Sequence, residues 1–363
     1  MTADRPTTPD SSTTPDGPAT AHTSPSAADG GTALDTRPAS PEGDGREDSE
    51  ASAGRRRRIR AVVTRLLSSI AVLWAAVTIV FVLSRASGDP TTLLLPEDAT
   101  PEQKAQLQET LGLDRPLLTQ YLDYLHGLLT LDLGESLRYH EPVISLILER
   151  IPATALLAGA SLAITVVVAF LAGSIAARRR GTAIDRVVMG AVLIGQSTPA
   201  FWVGILLILL FGVKLSWLPA AGYGTLAHLV LPAITLAIFS VAVVARLLRS
   251  SLVEVLGQDH VRTARAKGAT ETRVLLGHAL RNASLPVITV LGLELGSLLG
   301  GAILTEQVFN WPGIGRLTID AISFRDFPLV QGTVVLFALV FILVNLLVDL
   351  SYAIIDPRVR SEK

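Results

Sequence analysis

Six stretches of roughly twenty or more nearly uncharged residues run along this 363-residue chain, near 61–83, 153–177, 187–213, 228–248, 285–305 and 329–354. Each is long enough to cross a hydrocarbon layer of ~30 Å as a helix. A backbone inside that layer has no water to bond to, and with this length and spacing the segments read as helices rather than barrel strands. The pattern predicts an all-α polytopic membrane protein embedded in lipid. Two polar intervals interrupt it: a segment over 84–151, and a basic loop over 259–286 between the fourth and fifth stretches.

Residues 1–54 follow a different rule. They are rich in Pro, Ser, Thr, Ala, Gly and Asp and lack aliphatic periodicity. Such a segment buries too little apolar surface to offset its ordering entropy, so a disordered tail is expected there. Arg55, Arg56, Arg57, Arg58 and Arg60 follow the tail instead of opening the chain. The apolar run behind them is long enough to span, which predicts an uncleaved first helix with its basic flank over 55–83 rather than a secretory signal. The other five helices form a core over 152–357, with the polar loop placed within 250–284 and a short tail over 358–363.

Lys and Arg in short flanks set orientation. Dense clusters precede the first stretch, lie between the second and third (Arg178, Arg179, Arg180, Arg186), fill the fourth-to-fifth loop and end the chain, whereas Lys214 stands alone after the third stretch. All the clusters fall on one face if both termini are cytoplasmic, and six spans give the even number that this requires. The 84–151 segment is then extracytoplasmic. Within it, Thr100-Pro101-Glu102 starts a helix well, with Thr as cap, Pro in the first turn and Glu complementing the dipole. That helix is expected to end near Leu111-Gly112. A second is expected over 117–129, with Leu118, Tyr121, Leu122 and Leu125 on one face. It could cap the outer mouth of a pathway, touch a delivery protein, or simply cover helix ends.

Composition removes several chemistries. The chain is 49% hydrophobic with a formal net charge of -1, and it contains no cysteine, so neither disulfide nor thiol chemistry is open to it. Its six histidines are scattered without a close ligand pair, and no metal site is expected. His228 has no nucleophile or metal motif beside it, which argues against a membrane-embedded enzyme. No convincing internal repeat supports a secondary carrier.

Several polar or small residues inside the stretches are candidates for a pathway or for packing. Gln196-Ser197-Thr198-Pro199 interrupts the third stretch; a proline there frees a carbonyl, which suits a hinge or a pathway lining as well as mere tolerance. Glu294 lies well inside the fifth stretch, where a charge costs at least ~2.5 kcal/mol. It is expected to face the pathway, pair with a partner or be protonated, with a structural hydrogen bond favoured over substrate contact. Gly292, Gly296 and Gly300 recur every four residues and make a small-residue face for helix packing. Asn345 and Asp349 share a face of the sixth stretch and suit helix–helix hydrogen bonding. Trp202, Trp217 and Trp311 suit interfacial or pathway positions.

The loop over 259–286 is the most informative interval. Val261, Ala264 and Arg265 stand at helical spacing before Gly268, a residue that permits a sharp turn. Val274, Leu275, His278 and Ala279 follow at helical spacing and lead to Pro286. Helix, glycine turn, helix is the expected arrangement, and it reads equally as a basic loop obeying the charge rule or as a handle for another protein.

The order Val261-Arg262-Thr263-Ala264-Arg265-Ala266-Lys267-Gly268, then His278-Ala-Leu-Arg-Asn282 and Leu285-Pro286, resembles the "EAA" loop of bacterial ABC-importer permeases, most closely their dipeptide, oligopeptide and nickel group. The likeness extends to Leu111-Gly-Leu-Asp-Arg-Pro-Leu, Asp132-Leu-Gly-Glu-Ser, Phe309-Asn-Trp-Pro-Gly-Ile-Gly315, Asn345-Leu-Leu-Val-Asp-Leu and Asp356-Pro-Arg, and covers roughly residues 60–360. Arg262-Thr263-Ala264 stands where the motif's Glu-Ala-Ala would be, and the interval from Gly268 to Pro286 is longer than in the general pattern. Both departures are usual in the peptide and nickel group.

The resemblance implies a type I importer permease fold of six helices. Residues 261–268 would form a coupling helix seated on a cytoplasmic ATPase, whose ATP-driven closure rocks the membrane helices between inward-open and outward-open states. It implies two ATP-binding subunits, a second homologous permease (a heterodimer), an extracytoplasmic solute-binding protein and no nucleic-acid partner. The chain holds no Gly-x-x-x-x-Gly-Lys-Ser/Thr phosphate loop. ATP and Mg are therefore expected on the partner chains, and this chain is expected to be a transport subunit and not an enzyme. The expected solute is a di- or oligopeptide, with nickel or a nickel chelate as the alternative.

Overall fold

The computed structural model describes residues 44–88, 91, 95, 96 and 98–355. The chain divides into two units, Met1–Ala53 and Gly54–Lys363. Of the first, residues 44–53 are described and are helical. The expected tail over 1–54 thus lies outside the described residues up to 43, while Asp44 onward is helical.

The helices in order are α1 (Asp44–Ala86), α2 (Pro101–Thr110), α3 (Leu117–Thr130), α4 (Val143–Arg178), α5 (Ala183–Ser197), α6 (Ala200–Leu207), α7 (Leu226–Leu256), α8 (Asp259–Ala266), the single turn α9 (Glu271–Arg273), α10 (Leu280–Val308), α11 (Ile314–Ser323) and α12 (Phe327–Ile355). Two wide, π-helical turns, Ile208–Lys214 and Val274–Ala279, continue α6 and join α9 to α10. No strand occurs among the described residues.

Five helices among the described residues are long and apolar enough to cross a membrane, or six if α5 and α6 together count as one broken span. The expected third helix is the one that fails to run straight: its halves meet at 104°. The cause is local. A residue before proline is pushed out of the helical region, and Thr198 is extended at φ -98, ψ 131, ahead of Pro199. The break orphans carbonyls in the last turn of α5. Thr198 satisfies one of them, donating to Ile194 O at 2.8 Å, and Ser197 donates to Leu193 O at 3.0 Å.

Two other spans start earlier than expected. The second begins at Val143, ten residues ahead of position 153, because the helix runs on through Pro152. The fifth is continuous with the segment after Gly268: α9, the wide turn and α10 form one helical run, with Pro286 inside it. The expected separate second helix of the loop is therefore the first part of this span.

At the centre, α4 packs most extensively on α7, and α10 lies against α7, α11 and α12. Small residues permit the closeness. A Cβ on Gly173 of α4 would sit 2.9 Å from Ala245 O of α7. Buried hydroxyls in this zone bond to their own helix: Ser161 donates to Leu157 O at 2.7 Å, Thr165 to Ser161 O at 2.8 Å and Thr235 to Leu231 O at 2.8 Å. A buried hydroxyl satisfied in this way avoids the cost of an unpaired polar group in an apolar layer.

The helical segment between α1 and α4 matches expectation closely. Thr100 Oγ1 accepts from Gln103 N, and Gln103 Oε1 accepts from Thr100 N at 2.9 Å, a reciprocal cap on α2. Glu102 in the first turn has its carboxyl held below the ordinary range, by its own backbone N–H first and then by the Thr100 hydroxyl. Gly112, at φ 63, ends α2. Tyr121 and Tyr124 of α3 pack on Phe81 of α1, and the Tyr121 hydroxyl lies 2.7 Å from Thr78 Oγ1. The predicted face divides as a result: Tyr121 turns to α1, while Leu118 and Leu122 are exposed.

Candidate functional site

Residues 261–268 form α8 and its C-terminal turn. Val261 is fully buried in a cluster that includes Ala177 of α4, Val244, Leu248 and Leu252 of α7, Val274 and Leu275 of the wide turn and Ala283 of α10. Ala264, one turn on, packs against the same cluster. With these two positions facing inward, helical geometry turns Arg262, Thr263, Ala266 and Lys267 outward, and all four are exposed.

The turn that ends α8 requires glycine. Gly268 sits at φ 82, its N–H donates to Arg265 O at 2.9 Å, and Ala269 N donates to Ala264 O at 3.2 Å. That paired pattern is the Schellman ending, in which a left-handed residue lets the last carbonyls be satisfied. Ala264 and Ala269 both pack on the apolar cluster, supplying its usual hydrophobic contact.

Arg265 faces sideways. Its Nε donates to Glu271 Oε1 at 2.8 Å and its Nη2 to Glu271 Oε2 at 3.2 Å, which braces α8 against α9 across the glycine turn. The bond to Glu271 holds the guanidinium above its ordinary value. A second brace lies nearby, where Arg249 of α7 donates to Asp185 of α5 through Nε and Nη2, each at 2.7 Å. Asp185 also accepts from Gly181 N at 2.9 Å, so one carboxylate caps α5 and ties it to α7. Neither Glu271 nor Asp185 shows a sequence signal of its own; only the fold pairs them with arginines 6 and 64 positions away.

At the opposite end of the helices, the stretch Phe309-Asn-Trp-Pro-Gly-Ile-Gly315 makes a sharp junction between α10 and α11. Glu306 is fully buried; it accepts from Thr154 Oγ1 at 2.7 Å and from Arg316 N at 3.0 Å. Thr154 Oγ1 in turn accepts from Ile314 N at 2.9 Å. A carboxylate at the start of α11 answers the free N–H groups of that helix. Gly315 is required for this closeness, because a Cβ there would lie 2.5 Å from Ile303 Cα; a Cβ on Gly313 would enter the Glu306 carboxylate. Trp311 is 1% exposed, and its Nε1 donates to Ala153 O at 2.9 Å. It is a core residue, and the interfacial or pathway position expected for it is corrected. Trp202 and Trp217 are exposed.

The same end holds a second buried acid. Asp326 caps α12 by accepting from Leu329 N at 3.3 Å, and it also accepts from Ser136 Oγ and from Arg138 N. Ser136 ends the stretch Asp132-Leu-Gly-Glu-Ser, so a segment before α4 is stapled to the loop before α12. Glu306 and Asp326 lack a repeat or spacing that would single them out, and Asp326 meets a partner 190 positions away.

The pathway candidates separate. Gln196, Ser197, Thr198 and Pro199 form the break between α5 and α6, with Ser197 and Pro199 exposed. Glu294 is 8% exposed and accepts a hydrogen bond from Ser240 of α7. Glu294 therefore links α10 to α7 through a structural hydrogen bond. Gly292 and Gly296 do serve packing on α12: a Cβ on Gly292 would lie 2.5 Å from Val348 Cγ2, and one on Gly296 would touch Phe341 at 3.5 Å. Gly300 meets nothing within 4 Å, so the third position of that face is open. Asn345 donates to Phe341 O at 3.0 Å within its own helix, not to another helix, and the side chain of Asp349 lies outside the described residues.

The family described as binding-protein-dependent transport system inner membrane component matches residues 169–361, and the N-terminal component of the same system matches 58–158. The dipeptide transport system permease protein DppB of Escherichia coli (strain K12) is 43% identical over 308 residues, covering 76% of this chain and 91% of that protein. The di/tripeptide transport system permease protein of Pseudomonas aeruginosa (strain UCBPP-PA14) is 42% identical over 332 residues, covering 83% and 99%. The glutathione transport system permease protein GsiC of Escherichia coli O6:H1 is 43% identical over 300 residues, covering 82% and 98%. Among solved structures, a chain of the MetNI methionine ABC transporter in an inward-facing conformation superposes with a TM-score of 0.51 at 19% identity, over 60% of this chain and 99% of that one. That likeness is one of fold, the type I importer permease fold.

Proposed function

Since the chain belongs to the family of binding-protein-dependent transport system inner membrane components, we propose that it is the membrane-spanning subunit of an ATP-driven importer of di- or oligopeptides, working by alternating access. The observation that carries this reading is the outward, basic face of α8 on a segment clamped to the bundle. Arg262 and Lys267 face away from the protein, while Val261 is seated among residues of α4, α7 and α10. A force applied to α8 is thus delivered to three membrane helices at once, which suits a segment pushed by a partner. The partner is a pair of cytoplasmic ATP-binding subunits that carry ATP and Mg; a second homologous permease and an extracytoplasmic solute-binding protein complete the machine.

Peptides are favoured over nickel because the matched relatives are named for dipeptides, di- and tripeptides and glutathione. The positive clusters favour a cytoplasmic location for both termini, α8 and the α4–α5 turn. The break at Pro199 supplies a hinge at which α5 and α6 can change angle relative to each other.

The test is the double variant Arg262→Glu, Lys267→Glu in the assembled transporter, reconstituted in proteoliposomes. Dipeptide uptake driven by ATP is expected to fall at least about tenfold, with the ATPases lost from the purified complex, since reversing charges at a docking face costs several kcal/mol. Unchanged uptake together with retained ATPases would overturn the assignment of α8.

A further inference from the structure

Beside α8, at the same end of the bundle, lies a cavity of about 430 Å³ whose polar wall is Arg178, Arg179, Arg180, Arg265 and Glu271. Four guanidinium groups and one carboxylate line it; Arg265 engages that carboxylate through both oxygens, Arg178 acts on the same carboxylate through its charge, and Arg180 lies within electrostatic reach of Asp185. Arg178, Arg179 and Arg180 make no side-chain hydrogen bond or ion pair among the described residues, and all three are exposed. Their donors are thus available. The floor is apolar, formed by Ala177, Val253, Leu256 and Leu275.

A guanidinium presents a planar fork of N–H groups that matches phosphate oxygens in pairs. Like charges brought to one cavity repel, and a bound anion removes that repulsion. The cavity also sits at the C-terminal end of α4, one of the membrane-length helices. Basic pockets between membrane helices on the cytoplasmic side suit phospholipid headgroups in general. The geometry points to a site here for a phosphate-bearing anion, either an anionic phospholipid headgroup or a soluble phosphate, held between the arginine run 178–180 and Arg265.

Binding has a consequence for α8. A phosphate on Arg265 competes with Glu271, the partner that braces α8 against α9. Occupancy would loosen that brace and change how stiffly α8 transmits force. This consequence rests on the docking role proposed for α8; the binding itself does not.

The test uses the purified full chain in neutral detergent, titrated with dihexanoylphosphatidylglycerol, dihexanoylphosphatidylcholine or inorganic phosphate by isothermal calorimetry. For the variant Arg178→Gln, Arg179→Gln, Arg180→Gln, the affinity for phosphatidylglycerol is expected to fall about tenfold or more, from the loss of charge-assisted hydrogen bonds, with circular dichroism unchanged. Glu271→Gln is expected to bind several-fold more tightly, having lost the competing carboxylate. Arg246→Gln, Arg281→Gln, which removes two exposed cations outside the cavity, is expected to bind as the parent does.

If the triple variant does not fold, Arg179→Gln alone is read in its place, with a loss of about threefold expected. Competition by inorganic phosphate at equal concentration assigns a soluble anion, and failure to compete assigns the headgroup; both uphold the site. Equal affinity for phosphatidylcholine, or full affinity in the arginine variants, overturns it. Because binding is read on the isolated chain, a failure here and a failure of ATPase docking at α8 are separate results.

Discussion

At the end that carries α8, the 261–268 segment meets the bundle's apolar core through Val261 and Ala264, and its remaining side chains are exposed or bound to close neighbours. At the other end, the α10–α11 junction and the loop before α12 are stapled by buried acids: Glu306 to Thr154 and Arg316, and Asp326 to Ser136, Arg138 and Leu329. Both regions use helix termini as their anchoring points. The first leaves charge facing outward, and the second consumes its charge internally. A surface meant for a partner must keep unsatisfied polar groups in water, whereas a junction that must hold its own shape satisfies them inside. On the docking role proposed for α8, the contrast separates a segment that presents its charges to a partner from a junction that satisfies its polar groups internally.

Variants can break or sharpen that contrast. The largest stability loss is expected from Gly315→Ala, because the new Cβ falls 2.5 Å from a backbone atom of Ile303 and the chain itself must shift. Overpacking of this kind costs about 1–3 kcal/mol or more, and the thermal midpoint of the purified protein should drop accordingly. An unchanged midpoint would show the junction to be soft. Glu306→Ala comes next. It leaves the buried Thr154 hydroxyl and the part-buried Arg316 N–H without their acceptor, at about 1–3 kcal/mol for the buried hydroxyl. Thr154→Val in the same background should then cost less than it does alone, measured as a double-mutant cycle.

Smaller effects are expected on the glycine face. Gly292→Val should separate α10 from α12 and cost about 1–3 kcal/mol, because even a Cβ at that position lies 2.5 Å from Val348. Gly300→Ala meets nothing within 4 Å and should stay within about 0.5 kcal/mol. Equal melting losses for the two would dissolve the distinction between the packed and open positions. A stability loss between those two is expected at the α8 end. Gly268→Ala strains a left-handed turn by about 1 kcal/mol, and in the assembled transporter it should lower uptake more than it lowers the midpoint. A loss of stability without any change in uptake would show that the turn serves folding alone.

The helices that needed only local information were legible beforehand. The Thr100 cap, the Gly112 ending of α2, the extent of α3 and the glycine ending of α8 each follow from a few adjacent residues whose backbone preferences agree. The apolar stretches were legible for the same reason, since burial in lipid depends on composition and length. Misplaced boundaries arose where hydropathy and hydrogen bonding part company: α4 begins ten residues early because a helix can continue through Pro152, and α9 runs into α10 because a wide turn joins them.

What the chain alone determined is a polytopic helical membrane protein, a polar interruption at Pro199 that left hinge and mere tolerance open, and a basic segment ending at Gly268, all set by short-range sterics and by the transfer of apolar residues into lipid. Tertiary structure decided which charges are spent and which are free. Glu294 turned out to be bonded to Ser240, Arg265 to Glu271, and Glu306 to Thr154, while Lys267 remained outward and Arg262, also exposed, pairs with Asp259 of its own helix at 3.6 Å. No local rule could sort them, because a carboxylate or guanidinium has the same intrinsic chemistry at every position. Its partner depends on which helices are brought side by side, up to 190 residues apart in the chain.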